Sequence, residues 1–449
     1  MKPNRSLFQI SRIAYAVILL VHLLFLFNAI FNRPAPLTDS GDYLNAAENL
    51  YTQGILYSGD LTQPTHPEQF TRRPPLYPVL LGVVSLTGSE IPVFLLQILI
   101  SMTSIFLVFR IFFQNHTSFQ VRPLHVVVAT LLLLATPAQF IYANRIMAEL
   151  LFQLLLVLMV WSVYCYFRYK ESTYIWLFNL FLTLGMATKP VLFPFTFFIL
   201  LISPLLFVRT RRRAFVWALC LPILWLAFYS VRNNYRTDSS QYSSVQTANL
   251  VNYNLRYFLM EQEGSDAAAA EVDRLYDACD SAMGYGEKNR CLQQGVKDKV
   301  LERPLKYGIF HLKGCLRYFI DPGRFDLVTF FNLEYPDSGG FLQKLNQGGL
   351  KGAFRFLKQQ GVGMVAILVM IALLKLFKIS GFILYLVRDK EQLPFRIFLT
   401  LLVGYLAFIT GPLGASRFLL PIELLLIGAA VQGWSSLKLK DFKYFRKIG

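Results

Sequence analysis

Charged residues are scarce in this sequence: Asp, Glu, Lys and Arg make up only 16% of its 449 residues. Soluble domains usually carry about 25%. Hydrophobic residues make up 55% of the chain and aromatic residues 15%. Lipid offers no partners for backbone N–H and C=O groups, so a spanning helix needs about 20 consecutive apolar residues, and many such runs occur here. The composition therefore argues against a soluble domain and predicts an integral membrane protein with several spanning helices.

The sequence also lacks the short motifs of several enzyme classes. It has no Walker phosphate-binding loop, no HExxH motif, no CxxC pair and no GxSxG nucleophile elbow. It shows no sequence repeat and no low-complexity tract. The chemistry of P-loop enzymes, zinc proteases, dithiol oxidoreductases and serine hydrolases is therefore not indicated, and neither is a soluble nucleotide-sugar site.

The net charge of +17 is not distributed as in a nucleic-acid-binding protein. Residues 232–349 contain 14 Lys and Arg against 15 Asp and Glu, so the positive excess lies in the rest of the chain. That excess falls in short segments between apolar runs, as the positive-inside rule expects. We therefore predict cytoplasmic termini and no nucleic-acid partner.

The apolar runs and basic clusters predict about ten spanning helices. The first is too long for a signal peptide and lacks a cleavage site, so it is expected to be a permanent anchor. The predicted helices lie near residues 10–31, 91–113, 124–143, 147–168, 174–208 (two helices broken at Lys189-Pro190), 214–231, from 361 onward, 395–409 and 418–434. Lys375 and Lys378 leave the eighth helix open: it either stops there and continues as an interfacial helix, or runs on toward Arg388.

These boundaries divide the chain into three parts. Residues 1–231 form an N-terminal membrane module of seven helices, with a first loop at 32–89 that is expected to hold the catalytic residues. Residues 232–360 form a mostly helical extracytoplasmic segment. Residues 361–449 hold three more helices and the basic tail Lys438–Lys447, which is predicted to be cytoplasmic.

Five cysteines are present. Cys165 and Cys220 lie within apolar runs and are expected to pack as small hydrophobic residues. Cys279 and Cys291 lie in the extracytoplasmic segment, where an oxidising exterior would allow a disulfide. Cys315 is left over, so this pairing stays open at the level of sequence.

The first loop contains a predicted short amphipathic helix that begins near Asp39. Apolar residues from Tyr43 onward recur at helical spacing, and Gly54 is a plausible C-cap. Asp39 has two interpretations, as the N-cap of this helix or as a functional carboxylate. Asp42 is expected to be a first-turn acid favoured by the helix dipole.

Ionisable residues also recur at the predicted outer ends of the apolar helices. Arginine there runs against the positive-inside trend, so these residues are functional candidates, with lipid-headgroup contact as the alternative. Carboxylates together with Lys and Arg at a membrane surface suit a substrate whose lipid tail lies in the bilayer and whose phosphate lies at the interface. The candidates are Arg72, Arg73, Arg145 with Glu149, Lys189, Arg232, Arg417 and, inside the last helix, Glu423.

These motifs, in chain order, resemble the GT-C superfamily of glycosyltransferases, specifically the bacterial family that includes the aminoarabinose transferase of lipid A and relatives of the protein O-mannosyltransferases. The resemblance covers roughly residues 10–420. Members often have Asp-Glu where this chain has Asp39-Ser40, and Arg where it has Lys189. The matching segments are Asp39-Ser-Gly-Asp-Tyr43, Asn49-Leu-Tyr-Thr-Gln-Gly54, Arg73-Pro-Pro-Leu-Tyr-Pro78, Met147-Ala-Glu149, Gly185-Met-Ala-Thr-Lys-Pro190, Val231-Arg-Asn-Asn, His311-Leu-Lys-Gly314 and Arg417-Phe-Leu-Leu-Pro421.

The resemblance implies an all-α, GT-C-like bundle of about ten transmembrane helices in the bacterial cytoplasmic (inner) membrane, with its active site facing outside. It implies transfer of a sugar from a polyprenyl-phosphate donor to an extracytoplasmic lipid, glycan or protein, without a cofactor, although a divalent metal stays open. The proposed catalytic base of such enzymes corresponds to Asp39.

The predicted site residues follow from this chemistry. A base must take the acceptor's proton, and Lys or Arg must stabilise the departing phosphate. Direct attack by the acceptor predicts inversion at the anomeric carbon. The catalytic candidates are Asp39 and Glu149; the substrate-binding candidates are Asp42, Tyr43, Arg72, Arg73, Tyr77, Arg145, Lys189, Arg232 and Arg417, of which Lys189, Arg232 and Arg417 are expected to hold the phosphate.

Two other classes of protein remain open. A transporter or flippase for lipid-linked sugars would also need charged residues outside, but it would more often show interrupted helices in two related halves. A noncatalytic scaffold in envelope assembly would tolerate loss of Asp39.

Overall fold

The computed structural model describes residues 5–85, 87–113, 122–280, 284–333, 362–388 and 393–437, together with positions 351 and 358. Within these residues every regular element is a helix. The structure does not describe the predicted cytoplasmic tail Lys438–Lys447. It also does not describe residues 334–361, apart from positions 351 and 358.

The N-terminal part contains twelve of these helices. A 3₁₀ turn, Pro190–Leu192, precedes the tenth of them. They are α1 (Arg5–Asn32), α2 (Thr38–Gln53), α3 (Pro67–Thr71), α4 (Leu76–Ser85), α5 (Ile91–Phe113), α6 (Pro123–Leu134), α7 (Pro137–Ala143), α8 (Glu149–Tyr169), α9 (Thr173–Met186), α10 (Phe193–Thr210), α11 (Ala214–Trp217) and α12 (Cys220–Thr237).

The remaining helices form a middle group and a C-terminal group. A π-helical turn, Leu250–Leu255, lies within the middle group, and a 3₁₀ turn, Gly411–Leu413, precedes the last helix. They are α13 (Ser244–Asn249), α14 (Arg256–Glu263), α15 (Ser265–Asp280), α16 (Tyr285–Glu302), α17 (Pro304–Ile320), α18 (Arg324–Phe330), α19 (Val362–Arg388), α20 (Leu393–Thr410) and α21 (Ser416–Ser435).

Eight helical stretches among the described residues are long and apolar enough to cross a bilayer, and α6 with α7 makes a ninth if the pair is one span. All ten predicted segments are helical, but α9 has only 14 residues. At 1.5 Å per residue it spans roughly 21 Å, which is less than the roughly 30 Å hydrocarbon core. The chain is therefore an all-α polytopic membrane protein, with eight or nine full-length spans in the described part rather than ten.

The third predicted span is not one straight helix. Its two halves, α6 and α7, meet at an angle of 63°. Pro137 opens α7, and a proline has no N–H to continue the preceding helix and disfavours helical backbone at the residue before it. The bend therefore follows from Pro137, whose effect on the backbone is not visible in the hydrophobicity of the segment.

Helix α19 runs without interruption through Lys375 and Lys378, so the interpretation in which it stops there is wrong. Both lysines are buried, at 4% and 3% exposure. The Lys378 ammonium pairs with the carboxylate of Glu423 and donates to Thr136 Oγ1 at 3.2 Å, while Lys375 donates to the carbonyl of Asp321 at 2.7 Å. Buried charges persist where they have partners, and these partners let two lysines lie inside an apolar helix.

Helix α21 lies at the centre of the bundle and packs closely on α19. Gly381 and Gly433 bring the two backbones together: a Cβ at Gly433 would lie 1.9 Å from the carbonyl oxygen of Gly381. Small residues at such crossings allow helices in membranes to approach closely. Because α21 packs tightly on α19, its first residues are held at one end of the bundle.

The helices between α12 and α18 have a small core of their own. Val251, Phe258, Val272 and Leu292 are buried there. A disulfide joins Cys279 of α15 to Cys291 of α16, with the two Cα atoms 5.7 Å apart. Closing a loop of this length stabilises a fold by roughly 3 kcal/mol in the chain-entropy model. Cys165, Cys220 and Cys315 are free.

Candidate active site at one end of the helix bundle

The predicted site residues converge where several helices begin. Helix α1 ends at this side of the bundle, and α2, α8 and α21 start there, as does the turn before α10. Asp39 lies in the first turn of α2, Glu149 opens α8, Lys189 precedes the turn Pro190–Leu192, and Arg417 follows the first residue of α21. Side chains from distant parts of the chain therefore meet at one end of the bundle.

Asp39 connects two arginines from separate elements. Arg73 Nη2 donates to Asp39 Oδ1 at 2.5 Å, and Arg417 Nη2 donates to Asp39 Oδ2. The N-cap of α2 is Leu37, with no side-chain cap bond, so the N-cap interpretation of Asp39 is wrong. Burial alone would raise the pKa of Asp39, but the charges of Arg417 and Arg73 outweigh it and hold that pKa well below its usual range.

Asp42 positions the Arg72-Arg73 pair. Its Oδ2 accepts from Arg72 Nε at 2.7 Å and from Arg73 Nη2 at 2.7 Å. It is not the first-turn acid that we expected, because α2 begins at Thr38 and its first turn contains Asp39 instead. Of these two arginines only Arg73 also reaches Asp39, so Asp42 is linked to Asp39 through Arg73.

Tyr43 packs against the guanidinium of Arg73, and Tyr77 packs against Tyr43. The Arg73 guanidinium lies 4.7 Å from the centre of the Tyr43 ring, and the rings of Tyr43 and Tyr77 meet edge to face at 4.8 Å. Tyr77 OH donates to Gln97 Oε1 at 2.8 Å, and the Gln97 amide donates to the carbonyl of Arg145 at 2.8 Å. Burial raises the pKa of Tyr43 to about 12, so its phenol stays neutral. Both tyrosines are buried rather than open to a ligand.

Glu149 holds two cations from inside the protein. Its Oε1 accepts from Lys189 Nζ at 2.8 Å and from Arg417 Nε at 2.7 Å. Its side chain is 0% exposed, and Oε2 is buried without a hydrogen-bond partner. Among the described residues, then, Glu149 is the internal counter-charge of Lys189 and Arg417.

We call this group the Asp39 cluster. It contains four cations and three carboxylates, so it has one excess positive charge at neutral pH. The side chains of Arg417 and Lys189 remain 26% and 15% exposed, so both reach the surface. Such an arrangement suits an anionic ligand, because Arg and Lys form strong charge-assisted hydrogen bonds with phosphate. Its members are Asp39, Asp42, Arg72, Arg73, Glu149, Lys189 and Arg417.

Two predicted site residues lie apart from the Asp39 cluster. Arg232 donates to the carbonyls of Phe70 at 2.5 Å and Leu56 at 2.8 Å, and thereby secures the first loop to α12. Arg145 donates to Thr329 Oγ1 at 2.9 Å, away from Glu149. The structure therefore does not group Arg232 with Lys189 and Arg417, nor Arg145 with Glu149.

A second polar group, which the sequence did not indicate, fixes the start of α21. Asp326 accepts from Ser416 Oγ at 2.7 Å and from Tyr142 OH at 2.8 Å, and Asp321 accepts from Ser416 N at 2.6 Å. Ser416 directly precedes Arg417, so these bonds fix the backbone from which the Arg417 side chain extends. No local pattern connects Asp326 to Ser416, because 90 residues separate them.

The carboxylates of the Asp39 cluster face arginine and lysine rather than one another. Within the described part of the chain, no three His, Cys, Asp or Glu side chains are grouped as potential metal ligands. The arrangement can bind an anion and hold an ionised carboxylate beside it.

The helices and this cluster define an all-α polytopic membrane protein with a positively charged polar site at one end of its bundle. No protein-family model matches the chain, and comparison with curated proteins finds no match. Among solved structures, ArnT from Cupriavidus metallidurans, crystallised with bound undecaprenyl phosphate, is similar over 94% of this chain and 77% of that one. The identity is 13% and the TM-score is 0.37. At this level of likeness, the residues of the site carry the functional argument.

Proposed function

We propose that the protein is a GT-C-type glycosyltransferase that moves a sugar from a polyprenyl-phosphate donor to an acceptor outside the cytoplasm. The observation that supports this is the Asp39 cluster, in which a partly exposed carboxylate lies between two arginines in a site with an excess positive charge. A lipid-linked phosphate fits that charge, and its tail fits the surrounding spans.

The proposed reaction is a direct displacement at the anomeric carbon. The acceptor oxygen forms a bond to that carbon, and the bond from carbon to phosphate oxygen breaks, so polyprenyl phosphate leaves with the bonding electrons. Asp39 takes the acceptor's proton as general base. Lys189 and Arg417 stabilise the departing phosphate, which needs no separate acid. A single displacement inverts the configuration.

Binding of the donor also activates the base in this mechanism. In the free site Arg417 is shared between Asp39 and Glu149, and its charge helps to hold the pKa of Asp39 low. A carboxylate with so low a pKa is a weak base. A donor phosphate that engages Arg417 supplies a competing negative charge, so the proton affinity of Asp39 rises when the donor is bound. Glu149 is then a positioning residue rather than a second catalytic one.

The charge pattern of the sequence supports an orientation for the site. Basic residues cluster at the end of α10, at Arg209, Arg211, Arg212 and Arg213, and the positive-inside rule places such clusters in the cytoplasm. The Asp39 cluster lies near the start of α10, at the opposite end of that helix. We therefore propose the cytoplasmic membrane of a bacterium, with the site facing outward.

Binding of the carrier lipid tests the phosphate site. The purified protein, in phosphatidylcholine nanodiscs, is titrated with a polyprenyl phosphate and its thermal stability is recorded. Lys189→Ala and Arg417→Ala should each weaken binding, since losing one partner of a buried charge pair typically costs about 2–5 kcal/mol. Arg236→Ala, an exposed arginine at the end of α12, is the control. Wild-type affinity in both site variants would contradict the phosphate site and leave Lys189 and Arg417 only their ion pairs with Glu149 and Asp39.

Envelope chemistry tests the reaction. Mass spectrometry of envelope lipids and glycans should show a sugar modification that disappears when the protein is deleted and returns with the wild-type gene but not with Asp39→Asn. Complementation by Asp39→Asn would contradict a catalytic carboxylate. Accumulation of the lipid-linked sugar on the cytoplasmic face of the membrane in the deletion strain would favour a flippase instead.

A further inference from the structure

Helix α17 presents an apolar face that the described residues leave uncovered. Its exposed apolar residues recur at intervals of three or four, so they lie along one side of the helix. We call this set the α17 stripe; it consists of Leu305, Ile309, Leu312, Leu316 and Ile320. Leu305 and Leu316 are 83% and 68% exposed. Exposed apolar surface of this kind marks contact with a membrane or with another protein.

Contacts along α17 place the helix across one end of the bundle. His311 Nε2 hydrogen-bonds to the carbonyl of Phe408, near the end of α20, at 2.9 Å. One turn further, a Cβ at Gly314 would lie 2.5 Å from the carbonyl oxygen of Gly411, in the turn between α20 and α21. Successive turns of α17 therefore follow the chain from the end of α20 toward the start of α21. This is the end of the bundle that carries the Asp39 cluster.

The α17 stripe continues the lipid-facing surface of the bundle. Helix α20 belongs to one of the described spans, so its exposed side chains, which include Phe408 and Ile409, face lipid. The ring centres of Phe408 and His311 are 4.8 Å apart. Leu312 follows His311 in the chain and is exposed. An apolar surface that begins on a spanning helix and passes onto α17 favours lipid over a protein partner.

The charges of α17 also suit a membrane surface. The helix contains Lys306, Lys313 and Arg317 and no acidic residue. At about 100° per residue, the three basic positions lie within about 40° of one another, at one edge of the α17 stripe. Lys306 is exposed, whereas Lys313 donates to Glu261 of α14. Basic side chains beside an apolar face reach lipid headgroups while the apolar residues enter the acyl region.

The end of α17 is joined to the backbone that carries Arg417. Asp321 directly follows the helix, and its carboxylate accepts from Ser416 N at 2.6 Å. Gly323 has a φ of 76°, and a Cβ there would lie 2.9 Å from Ser416 Oγ. Only a residue without a side chain fits this approach without strain. Because Ser416 precedes Arg417, a displacement of α17 strains the contacts that hold the start of α21.

We propose that α17 is a membrane-surface helix. The α17 stripe inserts into lipid at the end of the bundle that carries the Asp39 cluster, and this insertion holds the start of α21, with Arg417, in place. The partner is the phospholipid bilayer itself and not a substrate. The membrane contact is independent of the proposed function, whereas its effect on donor binding rests on that function.

A fluorescent label measures the membrane contact directly. Bimane is attached, without reductant, to Leu312→Cys in a protein whose free cysteines, Cys165, Cys220 and Cys315, are replaced by alanine. The protein is placed in phosphatidylcholine nanodiscs. Lipid brominated near the headgroup end of its acyl chains should quench the label more than lipid brominated near the chain ends, because such helices insert only about 5–10 Å. Arg274→Cys, at an exposed position of α15, is the control and should not be quenched.

Two outcomes overturn the membrane contact. The first is quenching at position 312 that does not exceed quenching at position 274. The second is an unquenched label in nanodiscs that mass photometry shows to hold two copies of the chain, which would assign the α17 stripe to a second copy.

Two pairs of substitutions test the link to Arg417. Leu312→Gln with Leu316→Gln makes the α17 stripe polar, whereas Leu312→Met with Leu316→Met keeps it apolar. The glutamine pair should bind polyprenyl phosphate about 5- to 10-fold more weakly, a modest coupling between separate sites, and the methionine pair should bind as the wild type does. Where the glutamine pair does not fold, Leu312→Gln alone takes its place. A folded glutamine variant with wild-type affinity overturns the link.

This proposal and the proposed function fail in different ways. A protein whose label at position 312 is quenched but which binds no polyprenyl phosphate retains the membrane contact; the proposed function is then wrong, and the link to donor binding falls with it. A protein that transfers sugar through Asp39 but whose label at position 312 is unquenched retains the reaction and loses the membrane-surface helix.

Discussion

Asp39 and Glu149 are carboxylates of the same cluster in different surroundings. The Asp39 side chain is 23% exposed and uses each oxygen for one arginine. The Glu149 side chain is fully buried and uses one oxygen for two cations. A base must reach the substrate, whereas a counter-charge need only hold its cations. In the proposed mechanism Asp39 is therefore the base and Glu149 the counter-charge, although the sequence predicted both as catalytic candidates.

Asp39→Asn should reduce sugar transfer by about 10²–10⁴-fold, because asparagine cannot accept the acceptor's proton. Its amide oxygen still accepts from an arginine, so most of the local structure should persist. The measurement is transfer from a purified polyprenyl-phosphate donor, with thermal stability recorded for each variant. Asp42→Asn is the control and should be milder, since Asp42 reaches the site through Arg72 and Arg73. A stable Asp39→Asn protein with near wild-type turnover would falsify the mechanism.

The low pKa of Asp39 predicts how stability depends on pH. Because this pKa is lower in the folded protein than its ordinary value of 3.8, the ionised carboxylate stabilises the fold fully above that value. The stabilisation is lost as the pH falls below it toward the folded pKa. The difference in melting temperature between wild type and Asp39→Asn should be constant from about pH 5 to pH 9 and shrink below about pH 4. A difference that instead shrinks near neutral pH would contradict a low pKa.

At the scale of elements, the pair α19 and α21 shows how an apolar bundle tolerates charge. Lys378 and Glu423 face each other where the two helices pack closely, and both are nearly inaccessible. Each charge is acceptable because the other is present. The pair therefore fixes the register of α19 against the helix that carries Arg417.

Breaking this pair on one side should cost more than removing it. Lys378→Met leaves the Glu423 carboxylate buried and unpaired, and we expect a loss of about 3–5 kcal/mol in unfolding free energy. The double variant Lys378→Met with Glu423→Leu should recover most of that loss, because no buried charge remains. Unfolding in mixed micelles measures both. If the double variant is as unstable as the sum of the two single variants, the pairing is not what stabilises this contact.

Helix α17, at the edge of the bundle, packs on the protein with one face and exposes the other. One face packs on the end of α20 and on the 3₁₀ turn that follows it. His311 Nε2 hydrogen-bonds to the carbonyl of Phe408 at 2.9 Å, and a Cβ at Gly314 would lie 2.5 Å from the carbonyl oxygen of Gly411. The other face exposes large apolar residues at helical spacing, which suits contact with lipid at the membrane surface. The exposed residues are Leu305, Ile309, Leu312, Leu316 and Ile320.

At the scale of the whole molecule, the positions of the spans and of the charges predict a topology. A reporter that is active only outside the cytoplasm should be active when fused at Gly264, between α14 and α15, and inactive at Gly449. The reason is that the excess of Lys and Arg lies in the segments of the chain other than residues 232–349. The positive-inside rule assigns those basic segments largely to the cytoplasm. Activity at Gly449, or inactivity at Gly264, would reverse the orientation and place the Asp39 cluster on the wrong side for the proposed acceptor.

The class of the protein and the approximate helices were determined by local sequence. Apolar runs long enough to span a bilayer predict helices wherever they occur, since the bilayer leaves the backbone no other way to satisfy its hydrogen bonds. Gly54 ends α2 in the left-handed conformation, as glycine at that position predicts. Each of these features depends on residues that are close together in the chain.

The composition of the site was decided by tertiary structure. Arg417 reaches Asp39 across 378 residues, while Arg145, four residues from Glu149, donates to Thr329 instead. Lys375 and Lys378, which left the end of α19 open in the sequence, lie inside it because their partners, Asp321 and Glu423, come from other segments. Hydrophobicity and capping act within a helix, so a sequence shows them directly. The partner of a charge depends on which helix ends meet, and only packing of the whole bundle determines that.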